Sequence, residues 1–141
     1  MQSARDKRIE ELVQQAILAR KNSYSPYSHF QVGVCLEGKS GKLYTGCNIE
    51  NASYSVTNCG ERTAFFKAVS EGEREFVRIV IVGGKENKEL EFCPPCGACR
   101  QVMAEFCDPE KFEIILPVSE GAFKVYLLKD LLPVSFGKDN L

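Results

Sequence analysis

The run Phe76-Val77-Arg78-Ile79-Val80-Ile81-Val82, closed by Gly83-Gly84, constrains the fold of this chain more than any other segment. It is nearly continuous in apolar residues and reads as a strand with no polar face. Such a strand must be covered on both sides, as in a parallel sheet with helices above and below. The rest of the chain has to supply those layers.

Ile9, Leu12, Val13, Ala16 and Ile17 recur at i, i+3, i+4, so the spacing predicts an amphipathic helix over residues 4–21. Phe30, Val32, Val34 and Leu36 alternate with Gln31, Gly33 and Cys35, which is strand periodicity. Turn residues 37–41 lead to a second strand over 42–47, giving a hairpin. Residues Asn48 to Cys59 are polar and irregular, a connection long enough to suggest function. Ala64, Phe65, Ala68 and Val69 mark a second helix ending near Glu71-Gly72, and Pro94-Pro95 precedes a third over 97–106. Two further strands, 112–118 and 123–128, flank Ser119-Glu120-Gly121, and a turn through Leu131-Leu132 leads to the tail Pro133 to Phe136. This order predicts an α/β fold: a three-layer αβα sandwich around about five strands, formed by one domain spanning 1–141.

The charge balance excludes one class of partner. Eighteen Lys plus Arg against 19 Asp plus Glu give a net charge of −1, so no basic surface is available to track nucleic-acid phosphates. No window approaches the roughly 20 apolar residues of a membrane span, and MQSARDKRIEELVQQ lacks the apolar run of a signal peptide. Seven cysteines is an odd number, which argues against a fully paired secreted framework. A reducing, cytoplasmic setting is expected, and there clustered cysteines point to metal or catalysis.

Cys96-Gly97-Ala98-Cys99 has the two-residue gap of a metal knuckle, and Cys59-Gly60-Glu61 lies upstream. Three thiolates with an open position match catalytic zinc, whereas closed structural sites take four protein ligands. Between Cys59 and Cys96 lie a helix, a buried strand and a loop. Right-handed crossovers then place both helix starts beyond the same strand ends, where the helix dipoles favour thiolate. Three other readings remain open. A structural zinc site would draw a fourth ligand from Cys35, Cys47, Cys93, Cys107 or His29. A redox dithiol would use Cys96 and Cys99 but leave Cys59-Gly60-Glu61 without a role. Plain buried thiols suit Cys35 and Cys107 better. Glu61 is either the third helical residue of a capping box begun at Asn58 or a carboxylate that reaches a metal-bound water.

The segments 46–52 (GCNIENA), 59–64 (CGERTA) and 95–101 (PCGACRQ) resemble the homotetrameric zinc-dependent cytidine deaminase family, and the likeness continues through 27–30 and 131–136. The resemblance implies a mixed sheet and one Zn²⁺ per subunit, held by Cys59, Cys96 and Cys99 with water in the fourth position. It implies hydrolytic conversion of cytidine and deoxycytidine to their uridine counterparts in pyrimidine salvage, with Glu61 as proton shuttle. Asn48 and Glu50 resemble the pair that grips the ribose 3′-hydroxyl, and Phe30 the aromatic that packs on the pyrimidine. Backbone groups at Gly60 and Cys96 would read the base edge. Phe136 resembles the residue that closes a neighbouring subunit's pocket, and the resemblance implies that Ala52 and Tyr54 would also reach across a subunit boundary. Arg62 would hydrogen-bond ligand sulfurs and offset the net −1 of three thiolates on one zinc ion. The implied partner is a small nucleoside. Two alternatives are a deaminase of a cytosine-containing antibiotic of the blasticidin S type and a non-catalytic zinc-stabilised module. The sequence departs from the family pattern at Gly60, where alanine is common. Cysteine rather than histidine at position 59 separates it from deaminases of polynucleotides, tRNA and deoxycytidylate.

Overall fold

The computed structural model describes residues 2–119 and 121–141. Ser3 opens helix α1 (Ala4–Arg20): its hydroxyl accepts the Asp6 N–H at 3.0 Å, pairing a donor the helix itself leaves free. Strands β1 (Phe30–Gly38) and β2 (Leu43–Cys47) form the expected antiparallel hairpin. Helix α2 (Gly60–Ser70) leads to β3 (Phe76–Lys85), and α3 (Gly97–Phe106) leads to β4 (Glu113–Ser119). Strand β5 (Ala122–Leu127) follows, then the single turn α4 (Leu128–Leu131) and the tail. Residue 120, in the expected turn between β4 and β5, lies outside the described residues.

The strands form one sheet in the order β2-β1-β3-β4-β5. β1 is antiparallel to both β2 and β3, β3 is parallel to β4, and β5 is antiparallel to β4. The central strand therefore has a parallel neighbour on one side only. A continuous apolar run reports that both faces are covered; it carries no information about which way the neighbouring strands run. β2, β3 and β4 still point the same way, so α2, which follows β2, and α3, which follows β3, start at one edge of the sheet.

Alternation within each strand separates the two cores. Cys35, Val80, Val82 and Ile115 turn toward Ile9, Leu12 and Ala16 of α1. Val34, Leu36, Ile79, Ile81, Ile114 and Leu116 turn the other way, toward Ala64, Phe65 and Ala68 of α2 and Cys99 and Met103 of α3. The fully buried ring of Phe65 meets Phe76 edge-on, with centroids 5.0 Å apart, which fits the edge-to-face preference of aromatic pairs. The hairpin strand β1 is buried on both faces from Gly33 onward, more deeply than its alternation predicts, because α1 lies across it. A polar ladder fixes the near end of that helix. Glu37, only 8% exposed, accepts from Arg8 at 2.9 Å and from Arg78 at 2.6 Å, and Arg78 continues to Glu113 at 3.0 Å.

Gly33 sets how closely α1 can approach. A Cβ at that position would stand 2.1 Å from the Ala16 carbonyl oxygen and 2.5 Å from the Arg20 nitrogen, both backbone atoms that cannot swing aside. Gly33→Ala is expected to destabilise the protein by about 2 kcal/mol or more in denaturant unfolding, since overpacking here displaces a whole helix. Gly137→Ala, where a Cβ meets nothing within 4 Å, is expected to change stability by less than about 0.5 kcal/mol.

Candidate active site

The loop after β2 folds back on itself. Ile49 and Asn58 exchange backbone hydrogen bonds of 2.9 Å, and this pairing delivers Cys59 beside the end of β2. Cys59 is the residue that caps α2, and Cys96 caps α3; neither helix start has a side-chain cap bond. The two cap cysteines therefore stand at the positive ends of α2 and α3. Cys99 sits one turn into α3 and is buried. The capping-box alternative for Glu61 does not form. Because α2 begins at Gly60, Glu61 is its second residue, and the Asn58 amide instead donates to Thr63 Oγ1 at 3.0 Å.

The three sulfurs of Cys59, Cys96 and Cys99 lie within 4.8 Å of one another, with Sγ–Sγ separations of 3.6 Å from Cys96 to Cys59 and 3.5 Å from Cys96 to Cys99. Sulfurs bound at about 2.3 Å to a tetrahedral zinc ion are roughly 3.8 Å apart, so the donor set and its spacing fit that metal. The hydrogen bond from the Cys99 thiol, opposed by partial desolvation and aided by Arg62, lowers the Cys59 pKa to about 5. That same bond, with burial, pushes the Cys99 thiol up. Metal binding by such thiols displaces the protons they carry. Arg62 Nη2 donates to Cys59 Sγ at 3.3 Å, and this contact raises the guanidinium's own pKa. Its Nε is buried without a partner, so the side chain is committed to this corner of the site. Among the described residues no fourth Cys, His, Asp or Glu joins the cluster, so the structural-zinc reading lacks its last ligand.

Glu61 is 5% exposed, on the first turn of α2. Burial pushes its carboxyl up to about 7, with the Cys59 thiolate adding to the effect. Phe30, the first residue of β1, and Cys93 converge on Gly83. A Cβ there would lie 3.0 Å from the Phe30 ring and 2.6 Å from the Cys93 sulfur, so glycine is what lets both side chains pack against β3 at this point. Cys93 stays outside the sulfur cluster, and burial raises its pKa to about 12. Asn48 bridges two residues of β1: its Nδ2 donates to the Phe30 carbonyl at 2.8 Å and its Oδ1 accepts the Val32 N–H at 2.9 Å. Glu50 Oε1 accepts the Tyr27 and Ser28 N–H groups at 3.0 and 3.1 Å. Gly60 and Cys96 present the backbone at the two helix starts.

Other expected residues face outward in this chain. Ala52 is exposed, and Tyr54, 74% exposed, meets Tyr27 edge-on at 6.1 Å. Phe136 is 61% exposed, with its carbonyl held by Gln101 Nε2 at 2.9 Å. His29 is exposed and lies 3.5 Å from Glu86, apart from the sulfurs. Cys35 is buried beneath α1, and burial drives its thiol up to about 12. Sequence reasoning missed Arg100, which donates to the Pro95 carbonyl and to the Leu131 carbonyl, both at 2.8 Å. It fixes the loop that presents Cys96. One arginine on a helix gives no sequence signal of such a role. A cavity of about 760 Å³ opens at the far end of α3, lined by Phe76, Phe106 and Cys107, and contains none of these site residues.

Three sulfurs with no fourth protein ligand among the described residues leave a coordination position for solvent, which places the fold in the class of catalytic zinc proteins. Residues 6–114 match the family model for the cytidine and deoxycytidylate deaminase zinc-binding region, and the chain belongs to that family. It is 45% identical over 133 residues to the cytidine deaminase of Sporosarcina psychrophila, covering 94% of each chain. It is 47% identical over 130 residues to that of Halalkalibacterium halodurans, covering 92% of this chain and 95% of the other. Among solved structures, the cytidine deaminase from Burkholderia pseudomallei superposes with a TM-score of 0.81 at 43% identity, covering 90% of this chain and 98% of that one.

Metal analysis checks the donor set. The purified protein is expected to hold about one zinc per chain, Cys59→Ser and Cys96→Ser to lose most of it, and Cys107→Ser to keep it. Full zinc content in Cys59→Ser would exclude this ligand set.

Proposed function

We propose that this protein hydrolyses cytidine and deoxycytidine to uridine and deoxyuridine, releasing ammonia, as a cytoplasmic enzyme of pyrimidine salvage. The observation that carries the reading is the convergence of three free thiols at two helix starts, with a buried glutamate two residues after Cys59 and no fourth ligand among the described residues. A tightly integrated sheet with helices on both faces also supports residues 1–141 acting as a single catalytic domain.

The chemistry replaces the C4 amino group with oxygen. Water adds across the C4–N3 bond, and the tetrahedral carbon then expels ammonia. Zinc, when bound, supplies Lewis acidity that makes water a competent nucleophile near neutral pH. Glu61 moves the protons: its carboxylate takes one from the water as the C–O bond forms and gives it to N3, then takes the proton of the new C4 hydroxyl and passes it to the departing amine as the C4 carbonyl forms and the C–N bond breaks. Its burial keeps these transfers out of bulk solvent. Arg62, 3.3 Å from Cys59 Sγ, draws negative charge from the thiolate set and so would preserve the Lewis acidity of a zinc ion held there.

The remaining residues orient the nucleoside. Phe30 packs on the pyrimidine, and backbone groups of Gly60 and Cys96 read its edge. Asn48 has a second amide hydrogen beyond the one given to Phe30, and Glu50 is an acceptor, so together they offer both partners a 3′-hydroxyl needs. Asn48 and Glu50 also favour a nucleoside over a blasticidin-type antibiotic. Phe136, Ala52 and Tyr54 complete the pocket of a neighbouring subunit in a homotetramer, a role that suits their exposure here. Sedimentation would report that assembly directly.

The deciding experiment follows the loss of cytidine absorbance. Glu61→Gln is expected to lower turnover by roughly 10²–10⁴-fold while retaining zinc, and Arg62→Gln to lower turnover with a shifted pH profile. A wild-type protein that binds zinc but leaves cytidine untouched would reduce the site to a structural module.

A further inference from the structure

We propose that Ser28 is a positioning residue for the substrate, coupling the carboxylate that holds the sugar to the aromatic that holds the base. The inference rests on the substrate roles given above to Glu50, Asn48 and Phe30, and it assigns Ser28 a function of its own.

The Ser28 hydroxyl does two things at once. It donates to Glu50 Oε2, and it accepts the Phe30 N–H at 3.0 Å. The backbone N–H groups of Tyr27 and Ser28 donate to Glu50 Oε1, so both carboxylate oxygens are held by one turn. From Phe30 the connection continues: its carbonyl accepts Asn48 Nδ2 at 2.8 Å, and Asn48 Oδ1 accepts the Val32 N–H at 2.9 Å. The Ser28 hydroxyl therefore joins Glu50 to the Phe30 amide, and the Phe30 carbonyl carries the connection on to Asn48.

The backbone is bent to make this possible. His29, between Ser28 and Phe30, has φ 57°, a left-handed conformation that a side chain disfavours. Its N–H donates to the Ser25 carbonyl at 3.0 Å and its carbonyl accepts the Glu86 N–H at 2.7 Å, which holds the strained residue in place. The bend returns the Ser28 hydroxyl onto the amide two residues ahead. Partial burial would raise the pKa of Glu50, but the Ser28 hydroxyl and the two backbone donors outweigh it and keep the carboxyl below its ordinary range. It is thereby kept as an anionic acceptor for a sugar hydroxyl. Ser28 is itself exposed, so its hydroxyl contributes nothing to a core. Its loss should register in substrate binding and leave folding intact.

The test compares wild type and Ser28→Ala on cytidine and on 3′-deoxycytidine, with melting temperature and zinc content as controls on the fold. Ser28→Ala is expected to raise KM for cytidine by about five- to tenfold, the scale of one hydrogen bond to a charged group, with kcat within about twofold of wild type. The KM for 3′-deoxycytidine, which lacks the hydroxyl Glu50 would hold and keeps only the contact with Phe30, is expected to rise by less than that for cytidine. An unchanged KM for cytidine, or an equal rise for both substrates, overturns the assignment. Wild-type protein with no turnover of cytidine overturns the deaminase reading itself and this inference with it.

Discussion

The site depends on two helices beginning at one edge of one sheet. β2, β3 and β4 share a direction, so the chain leaves β2 and β3 on the same side and enters α2 and α3 there. Each helix starts on a cysteine where soluble proteins usually place Ser, Asp or Asn. Forgoing an oxygen cap leaves the first-turn N–H groups without their usual partner, and thiolates are well placed to use that positive end. The cost falls on helix stability, and the return is a cluster of low-charge-density sulfurs suited to zinc.

Everything around the sulfurs adjusts charge. Three thiolates exceed the charge of one divalent ion by one unit, and Arg62 stands against Cys59 to meet that excess. Glu61 is kept from water by the same packing of α2 over β1 and β2 that fixes Cys59. The loops that present ligands are themselves tied to the frame: Arg100 holds the carbonyl before Cys96, and the Ile49–Asn58 pairing holds the residue before Cys59. A ligand that binds metal through one atom needs this second layer of contacts to keep its direction.

Parts of this were legible from residue order because they are local. Period 3.6 in 4–21 gave α1, period 2 in 30–36 gave β1, and the covered run 76–82 gave the central strand. The spacing of Cys59 and the Cys96/Cys99 pair pointed to a metal because two residues between ligands at a helix start suit one ion. Other features left no trace. Gly33 looks like any strand glycine until α1 is seen to cross it, and Arg78 looks like a flaw in an apolar run until it joins Glu37 and Glu113. The choice between cap and carboxylate at Glu61 turned on where α2 starts, a shift of one residue that spacing alone does not resolve.

The sequence by itself determined the layers, the elements and the three thiols, because hydrophobic period and ligand spacing act over a few residues. Only the tertiary structure decided the strand directions, the seclusion of Glu61 and the wiring of Ser28 to Glu50 and Phe30. Those depend on contacts between segments some 20 or more residues apart, or on a dihedral such as that of His29, and neither is written in local composition.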